Sequence, residues 1–132
     1  MESLITTERL GAVMRIRIDR EAKKNALTIA MYDRMADAVE QAADNSEIRA
    51  ILLTGGSKIF TAGNDLNDFL DPKRDGKGVQ RFLSALPAID KPVVAAVNGH
   101  AIGIGTTMLL HCDLVYVGRS ASLRMPFVEL GL

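Results

Sequence analysis

Two turns built from small residues are the parts of this sequence whose residue types and spacing could do chemistry. One is TAGND at positions 61–65, and the other is AIGIG at positions 101–105. Each turn follows an apolar stretch and leads into a helix start, where the first backbone N–H groups have no partner inside the helix. Because glycine has no Cβ atom, a ligand can approach the backbone closely at Gly63, Gly103 and Gly105. If the two turns converge, two amides could stabilise a developing negative charge, as in an oxyanion hole.

Other chemistries fit these residues less well. Gly-rich turns between strands and helices are common without any catalytic role, so turn geometry alone is an alternative. The stretch GGSKIFTAG lacks the order of a phosphate-binding loop, and GHAIGIG lacks the acidic partner of a dinucleotide fingerprint. Asp65 and Asp68 are expected to cap a helix. His100, His111 and Cys112 show no metal-ligand spacing and are interpreted as structural, so no metal site is expected.

The elements that must position the turns follow from hydrophobic periodicity and from cap residues. The sequence predicts a half-exposed strand over 11–19 and buried strands over 48–54, 93–97 and 114–118. It predicts a helix over 29–43 capped by Thr28, a second amphipathic helix that carries Val79, Phe82, Leu83 and Leu86, and a short helix after the turn at 101–105. A charged loop is expected over 70–78. Strands that alternate with helices predict one α/β domain with mostly parallel strands.

Composition excludes several classes of function. Lys and Arg total 16 and Asp and Glu total 16, so no net charge favours nucleic acid or an acidic membrane surface. The single cysteine, Cys112, excludes an internal disulfide and indicates a reducing compartment. The start MESLITTERLGAV has no basic region followed by an apolar run, and no stretch approaches the roughly 20 apolar residues of a membrane span. We expect a cytoplasmic chain that binds neither nucleic acid nor a membrane.

Six sequence blocks stand in a fixed order along the chain. They are KKNALT with the following Met31-Tyr32, IRAILLTG, FTAGNDLNDF, KPVVAAVNGHAIGIG, CDLVY and MPFVELGL. In order and spacing they resemble the crotonase superfamily, the enoyl-CoA hydratase/isomerase family, from about Gly11 to Leu132. The block AGNDLNDF is similar to the branch of Δ3,Δ2-enoyl-CoA isomerases, whereas hydratases more often show AGAD. The resemblance implies the crotonase fold, an α/β fold of repeated ββα units, with residues 1–132 as its N-terminal core and the C-terminal helical region absent.

The resemblance also implies a site. The family's two oxyanion amides fall on Asn64 and Ile104, whose backbone N–H groups would bind the thioester carbonyl of an acyl-CoA as it becomes an enolate. The adenine end of CoA would lie alongside Lys24 and Ala26. The other substrate-binding positions that the resemblance implies are Ala62, Gly63, Asp65, Leu66, Gly103, Thr107 and Phe127. CoA is part of the substrate, so no separate cofactor is expected.

The acid–base residues depart from the hydratase pattern. Thr107 and Phe127 occupy the positions of the two hydratase glutamates, and activating a water for addition to the double bond needs both carboxylates. A double-bond shift needs only one base, which removes a proton from C2 and returns it at C4. In the isomerase branch that base is a Glu shortly after the LGL block, in which this sequence ends at Leu132. Glu129 is the candidate base within the chain. It lies three residues beyond Pro126, where a short helix is expected, and its alternative role is that of a solvated or salt-bridged helix residue.

Three hypotheses of function therefore stand. The leading one is an enoyl-CoA isomerase that moves a 3-enoyl-CoA double bond to position 2. The second is a hydratase-like or thioester-hydrolysing member of the same family. The third is a catalytically incomplete module that binds CoA esters or a partner subunit. By resemblance, we expect a homo-oligomer, either a trimer or a hexamer. If the second half of the fold is absent, a chain of 48% apolar composition should also leave hydrophobic surface uncovered, which favours association.

Overall fold

The computed structural model describes residues 4–131, so Met1–Ser3 of the start considered for targeting, and Leu132 of the LGL block, lie outside the described part. Eight strands and four α-helices follow one another within it. They are β1 (Ile5–Leu10), β2 (Val13–Ile18), α1 (Ile29–Asp44), β3 (Ala50–Thr54), β4 (Ile59–Thr61), α2 (Leu66–Leu70), α3 (Lys77–Ala88), β5 (Val93–Val97), β6 (His100–Ile102), α4 (Ile104–Thr107), β7 (Leu114–Val117) and β8 (Leu123–Arg124). Short 3₁₀ turns span Glu21–Lys23 and Met108–His111.

The strands form two sheets through a repeated ββα pattern. The larger sheet has the order β1-β2-β3-β5-β7, and the smaller sheet has the order β4-β6-β8. All neighbouring strands pair in parallel except β1 and β2, which are antiparallel. From β3 onward, the first strand of each pair joins the larger sheet and the second joins the smaller one. The α/β class and the mostly parallel pairing expected from the sequence are confirmed.

Helix α1 begins where its cap residue predicts. The Thr28 side chain accepts a hydrogen bond from the Met31 backbone N–H, and the helix continues to Asp44, one residue beyond the predicted end. Its buried face packs on α3, where the rings of Tyr32 and Phe82 lie 6.1 Å apart. The hydrophobic core lies between these two helices and the larger sheet. It includes the buried residues Ile16, Ile18, Met31, Met35, Val39, Ile51, Leu53, Leu86, Val93, Ala95 and Val97.

The strand at Leu114–Val117 forms as predicted but is not buried. Its four side chains are exposed, and Tyr116 is 64% exposed. The strand lies at the outer edge of the larger sheet and pairs only with β5 among the described strands, so a run of apolar residues does not by itself place a strand in the core. The expectation of a buried strand was wrong.

Two other expectations need correction. The loop predicted over 70–78 is shorter, because α2 includes Leu70 and α3 begins at Lys77, where the Asp75 carboxylate accepts the Lys77 N–H at 2.9 Å. The short helix expected around Glu129 is a pair of hydrogen-bonded turns, in which Leu130 donates to the Pro126 carbonyl and Gly131 to that of Val128. Within residues 4–131, no helix combines the length and apolarity that crossing a bilayer requires.

Candidate active site

The two small-residue turns are side by side in the structure. They follow β4 and β6, which pair in parallel with Ile59 opposite His100 and Thr61 opposite Ala101. The turns themselves are in contact, because a Cβ atom on Gly105 would lie 3.0 Å from the Thr61 carbonyl oxygen. The turns were expected to follow the apolar stretches that became β3 and β5. Instead, the short strands β4 and β6 of the second sheet, which were not predicted, bring the turns together.

The first turn holds one peptide group in a fixed direction. Gly63 has a φ of +92°, in the region that favours glycine. Its carbonyl accepts the Leu27 N–H at 2.8 Å, and the Asp65 N–H donates to the Leu27 carbonyl at 2.8 Å. Since the peptide is trans and planar, anchoring the Gly63 carbonyl on Leu27 points the Asn64 N–H the opposite way. That N–H donates to no group within residues 4–131.

The second turn repeats the arrangement. Gly103 has a φ of +61°, and its carbonyl accepts the N–H groups of Thr106 at 2.9 Å and Thr107 at 3.1 Å. The Gly103 N–H donates to the Arg124 carbonyl at 2.8 Å, which ties the turn to β8. The Ile104 N–H, on the far side of the anchored peptide, has no hydrogen-bond acceptor in the described part of the chain. Each turn therefore presents at least one backbone donor that the fold leaves free.

Asn25 joins the first turn to the strands behind it. This buried residue has a φ of +57°, and its side-chain nitrogen lies 3.3 Å from the carbonyl oxygens of Ile18 and Ile59 and 3.1 Å from that of Phe60. The Thr61 hydroxyl donates to the Asn25 carbonyl at 2.6 Å and accepts the Gly63 N–H at 3.1 Å. A left-handed backbone is uncommon outside glycine, and here the Asn25 side-chain amide contacts carbonyl groups of β2 and β4 behind the first turn.

An ion pair between Arg20 and Asp65 holds the first turn from its other side. The guanidinium lies 2.7 Å from the carboxylate and 3.0 Å from the Ala26 carbonyl, and the two side chains are only 18% and 11% exposed. The Asp65 carboxylate also caps α2 by accepting the N–H groups of Asn67 and Asp68, so the predicted capping role is confirmed. The hydrogen bond from Arg20 lowers the pKa of Asp65 below its usual 3.8, and the two backbone bonds act in the same direction.

A cavity of about 460 Å³ lies beside the first turn, between that turn and helices α1, α2 and α3. Asn64 is in its wall, and the buried Tyr32 hydroxyl donates a hydrogen bond to the Asn64 side-chain oxygen there. Asp68 also lines the cavity, and its carboxylate accepts the Ile29 N–H at 2.8 Å, which caps α1 from α2. The remaining lining residues are Leu27, Ile29, Asp65, Phe69, Arg74, Gly76, Val79, Gln80, Leu83 and Ser84.

The structure brings most of the other candidate residues to the same edge of the molecule. The Lys24 carbonyl accepts the Ala62 N–H at 3.1 Å, so the segment with Lys24 and Ala26 borders the first turn. Thr107 donates to the Ile104 carbonyl at 3.4 Å. The Phe127 ring lies 3.7 Å from where a Cβ on Gly103 would stand.

Two candidate residues are turned towards solvent. Leu66, the first residue of α2, is 65% exposed. Glu129 is also exposed, and its carboxylate lies 3.3 Å from the Arg124 guanidinium. The salt-bridged alternative for Glu129 therefore has a named partner.

The remaining titratable candidates form no cluster with the turns. The exposed His100 ring nitrogen lies 2.8 Å from the Ser122 hydroxyl oxygen. Burial, together with the charge of Asp113, raises the pKa of Cys112 to about 11. Within residues 4–131, no three His, Cys, Asp or Glu side chains are grouped as metal ligands would be.

Arg20, Asn25 and Tyr32 were not predicted from the sequence as parts of the site. The contacts that tie them to the first turn and its strand, with Asp65, Phe60 and Asn64, span 32 or more positions along the chain, and no periodic pattern connects them. One local signal was present at Asn25, which follows two lysines in a polar loop. Asparagine in a loop is a candidate for a left-handed backbone conformation.

Comparisons with known proteins agree on one family. The family described as Enoyl-CoA hydratase/isomerase matches residues 8–132. The 1,2-epoxyphenylacetyl-CoA isomerase of Escherichia coli is 37% identical over 100% of this chain and 53% of its own length. The 2,3-dehydroadipyl-CoA hydratase of the same organism is 33% identical over 100% of this chain and 52% of its own. The chain thus spans about half the length of the curated relatives it matches.

Solved structures give the same result for the fold. The structure of OdaA from Pseudomonas aeruginosa superposes with a TM-score of 0.93 at 54% identity, over 99% of this chain and 54% of the other. An enoyl-CoA hydratase/isomerase from Pseudoalteromonas atlantica superposes with a TM-score of 0.94 at 44% identity, over 98% of this chain and 53% of the other. The α/β architecture of repeated ββα units is therefore the crotonase fold.

Proposed function

The chain belongs to the enoyl-CoA hydratase/isomerase family, and on that premise we propose that it holds an acyl-CoA thioester for a shift of the double bond from position 3 to position 2. One observation carries the proposal. Two anchored peptides on adjacent turns leave the N–H groups of Asn64 and Ile104 free. Two such donors suit a thioester oxygen, because the hydrogen bonds strengthen as that oxygen gains negative charge.

The proposed reaction needs few groups. With the carbonyl oxygen held by the two amides, a base removes a proton from C2 and the electron pair spreads over the dienolate. The base then returns the proton at C4, so the C3–C4 double bond becomes a C2–C3 double bond. Nothing is oxidised, and no water enters. The charge on the dienolate oxygen is what the two N–H groups stabilise.

The identity of the base separates the isomerase from a hydratase. Thr107 and Phe127, which border the second turn, carry no carboxylate, and this supports a reaction that requires one base rather than two. Glu129 is the candidate base in this chain. Its carboxylate would have to leave Arg124 to act, and the alternative is a base supplied by residues outside these 132.

The rest of the substrate would extend to either side of the thioester. We place the adenine end of CoA beside Lys24 and Ala26, and the acyl chain in the 460 Å³ cavity at Asn64. Ala62, Gly63, Asp65, Leu66 and Gly103 complete the proposed binding surface. CoA arrives as part of the substrate, and the proposed reaction uses no separate cofactor or metal. The proposed assembly is a homo-oligomer, a trimer or a hexamer.

Binding of two matched probes tests the two amides without requiring turnover. Hexanoyl-CoA carries the thioester carbonyl, and S-hexyl-CoA has the same chain length without it. We expect the chain to bind hexanoyl-CoA about tenfold more tightly, because two hydrogen bonds together contribute about 1.4 kcal/mol. Equal dissociation constants in titration calorimetry would contradict the proposal.

Turnover then tests the reaction and the base. The chain is incubated with 3-hexenoyl-CoA, and the products are separated by chromatography. With this probe, 2-hexenoyl-CoA identifies an isomerase and free hexenoic acid a thioesterase. A parallel incubation with 2-hexenoyl-CoA tests hydration, because water adds to the conjugated C2–C3 double bond, and 3-hydroxyhexanoyl-CoA would identify a hydratase. If the isomer forms, Glu129→Gln decides whether Glu129 is the base. Retained binding without any product would favour a CoA-ester binding module.

A further inference from the structure

A buried hydroxyl group is hydrogen-bonded to the Asn64 side chain. Tyr32 is only 1% exposed, and its hydroxyl donates to the Asn64 side-chain oxygen across the wall of the cavity. Burial raises the pKa of Tyr32 above its usual 10, so the hydroxyl keeps its proton and remains a donor. The ring is itself fixed against Phe82 of α3. The hydroxyl therefore stands in one place, set by two packed helices.

The Asn64 oxygen has a second potential donor nearby. Short amide side chains commonly accept hydrogen bonds from their own or neighbouring backbone N–H groups, which is why they favour turns and caps. Asn64 stands in such a turn, immediately before the Asp65 cap of α2, and its own N–H is free. If its side-chain oxygen lost the Tyr32 hydroxyl, it could turn back and compete for that N–H.

We propose that Tyr32 is a positioning residue, which occupies the Asn64 side-chain oxygen and so keeps the Asn64 N–H available to the substrate carbonyl. The inference rests on the proposed binding of a thioester at this N–H. Without the Tyr32 hydroxyl, the Asn64 side-chain oxygen could accept the Asn64 N–H and so compete with the substrate carbonyl.

A comparison of variants tests the inference with the same two probes. The measured quantity is the ratio of the dissociation constant of S-hexyl-CoA to that of hexanoyl-CoA, which isolates the contact with the carbonyl. Tyr32→Phe keeps the ring and its packing on Phe82 but removes the hydroxyl. We expect the ratio to fall by about threefold, with affinity for S-hexyl-CoA unchanged, because only one of the two hydrogen bonds is affected. Tyr116→Phe, at the exposed edge strand, is the matched control and should leave the ratio unchanged.

The same substitution in a second genetic background distinguishes a positioning role of Tyr32 from a purely structural one. In an Asn64→Ala background there is no side-chain oxygen to compete, so adding Tyr32→Phe should not lower the ratio further. A purely structural role would lower the ratio equally in both backgrounds, and that outcome would overturn the inference. An unchanged ratio in Tyr32→Phe alone would also overturn it, while leaving the proposed function intact. If the wild-type chain does not prefer the thioester, the proposed function itself fails.

A measurement on the wild-type chain covers the case in which Tyr32→Phe does not fold. In ¹⁵N–¹H spectra, hexanoyl-CoA should shift the backbone amide of Asn64, whereas S-hexyl-CoA should not. The side-chain amide of Asn64 should keep its position with both probes, because its oxygen stays on Tyr32. A side-chain shift as large as the backbone shift, seen only with the thioester, would show that the side chain is not held and would contradict the inference.

Discussion

Gly63 and Ile102 lie so close together that a Cβ atom on Gly63 would stand 2.9 Å from the Ile102 carbonyl oxygen. This contact sets the separation of the two turns, because Gly63 precedes Asn64 and Ile102 lies two residues before Ile104. The missing side chain at position 63 thus permits the approach that brings the two free amides near each other.

Gly63→Ala is expected to separate the turns. The φ of +92° disfavours any side chain, and the new methyl group would press on a carbonyl that β6 holds in place. We expect a loss of about 2–4 kcal/mol in the free energy of unfolding, measured with urea, and loss of the preference for hexanoyl-CoA. Gly11→Ala is the control, since Gly11 also has a positive φ but no neighbour within 4 Å of the new Cβ. It should cost about 1–2 kcal/mol and leave the preference intact.

The ion pair between Arg20 and Asp65 predicts a dependence of stability on pH. The pKa of Asp65 is lowered in the folded chain, so the unfolded chain binds this proton more readily. The stabilisation is fully present above the unfolded value of about 4 and is lost as the pH falls through the lowered folded value. Asp65→Asn should reduce stability at pH 7 by about 2 kcal/mol and flatten the acid limb of the stability curve.

Urea unfolding at a series of pH values checks this prediction. Asp44→Asn is the control, because Asp44 is exposed at the end of α1, and its replacement should change stability by less than about 0.5 kcal/mol. An acid limb in Asp65→Asn as steep as that of the wild-type chain would show that the pair does not produce the dependence.

Ile104→Pro removes one free N–H directly. Ile104 is the first residue of α4, a position at which proline fits the backbone and loses no helical hydrogen bond. We expect the preference for hexanoyl-CoA over S-hexyl-CoA to fall about threefold, since one of two hydrogen bonds to the carbonyl is lost. Ile104→Ala is the control for the lost side chain, because it keeps the N–H. Equal preferences in the two variants would indicate that this amide does not bind the carbonyl.

The exposed edge strand predicts self-association of the chain. The apolar side chains of β7 are uncovered, and an unpaired strand edge can recruit a second chain. Tyr116→Lys should lower the average mass in solution at high concentration, measured by light scattering, because a charge on the strand opposes edge pairing. Leu10→Lys is the control at the opposite edge of the same sheet. A wild-type chain that stays monodisperse and monomeric would contradict the prediction.

The elements with a clear cap residue or a clear apolar pattern were predicted from the sequence. The cap at Thr28 and the apolar spacing after it gave the start of α1, and the apolar run before Asn98 gave the bounds of β5. The three-residue strands β4 and β6 were missed, because three residues are too few to show an alternating pattern. β1 was missed because five of its six residues are exposed, and its polar side chains hide the strand period.

The two turns of the site were predictable from the sequence, whereas the side-chain contacts that hold the first turn in place were not. The Gly-containing turns, with the order of blocks around them, pointed to positions 64 and 104. The contacts of Tyr32 with Asn64, and of Arg20 with Asp65, join residues 32 and 45 positions apart. Such contacts depend on how α1 packs across the sheets, and no local pattern encodes them. The exposure of β7 was mispredicted for a related reason, since an apolar run does not reveal whether another element covers it.

The two free donors are peptide groups, which every residue except proline possesses. A scan that replaces each side chain by alanine would therefore leave both donors in place at Asn64 and Ile104 and detect little loss there. Its strongest signals would come from residues such as Asn25 and Arg20, which hold the first turn in place and lie outside the proposed binding surface. Without the structure, such a scan would identify the residues that position the site and would miss the two peptide groups that bind the ligand.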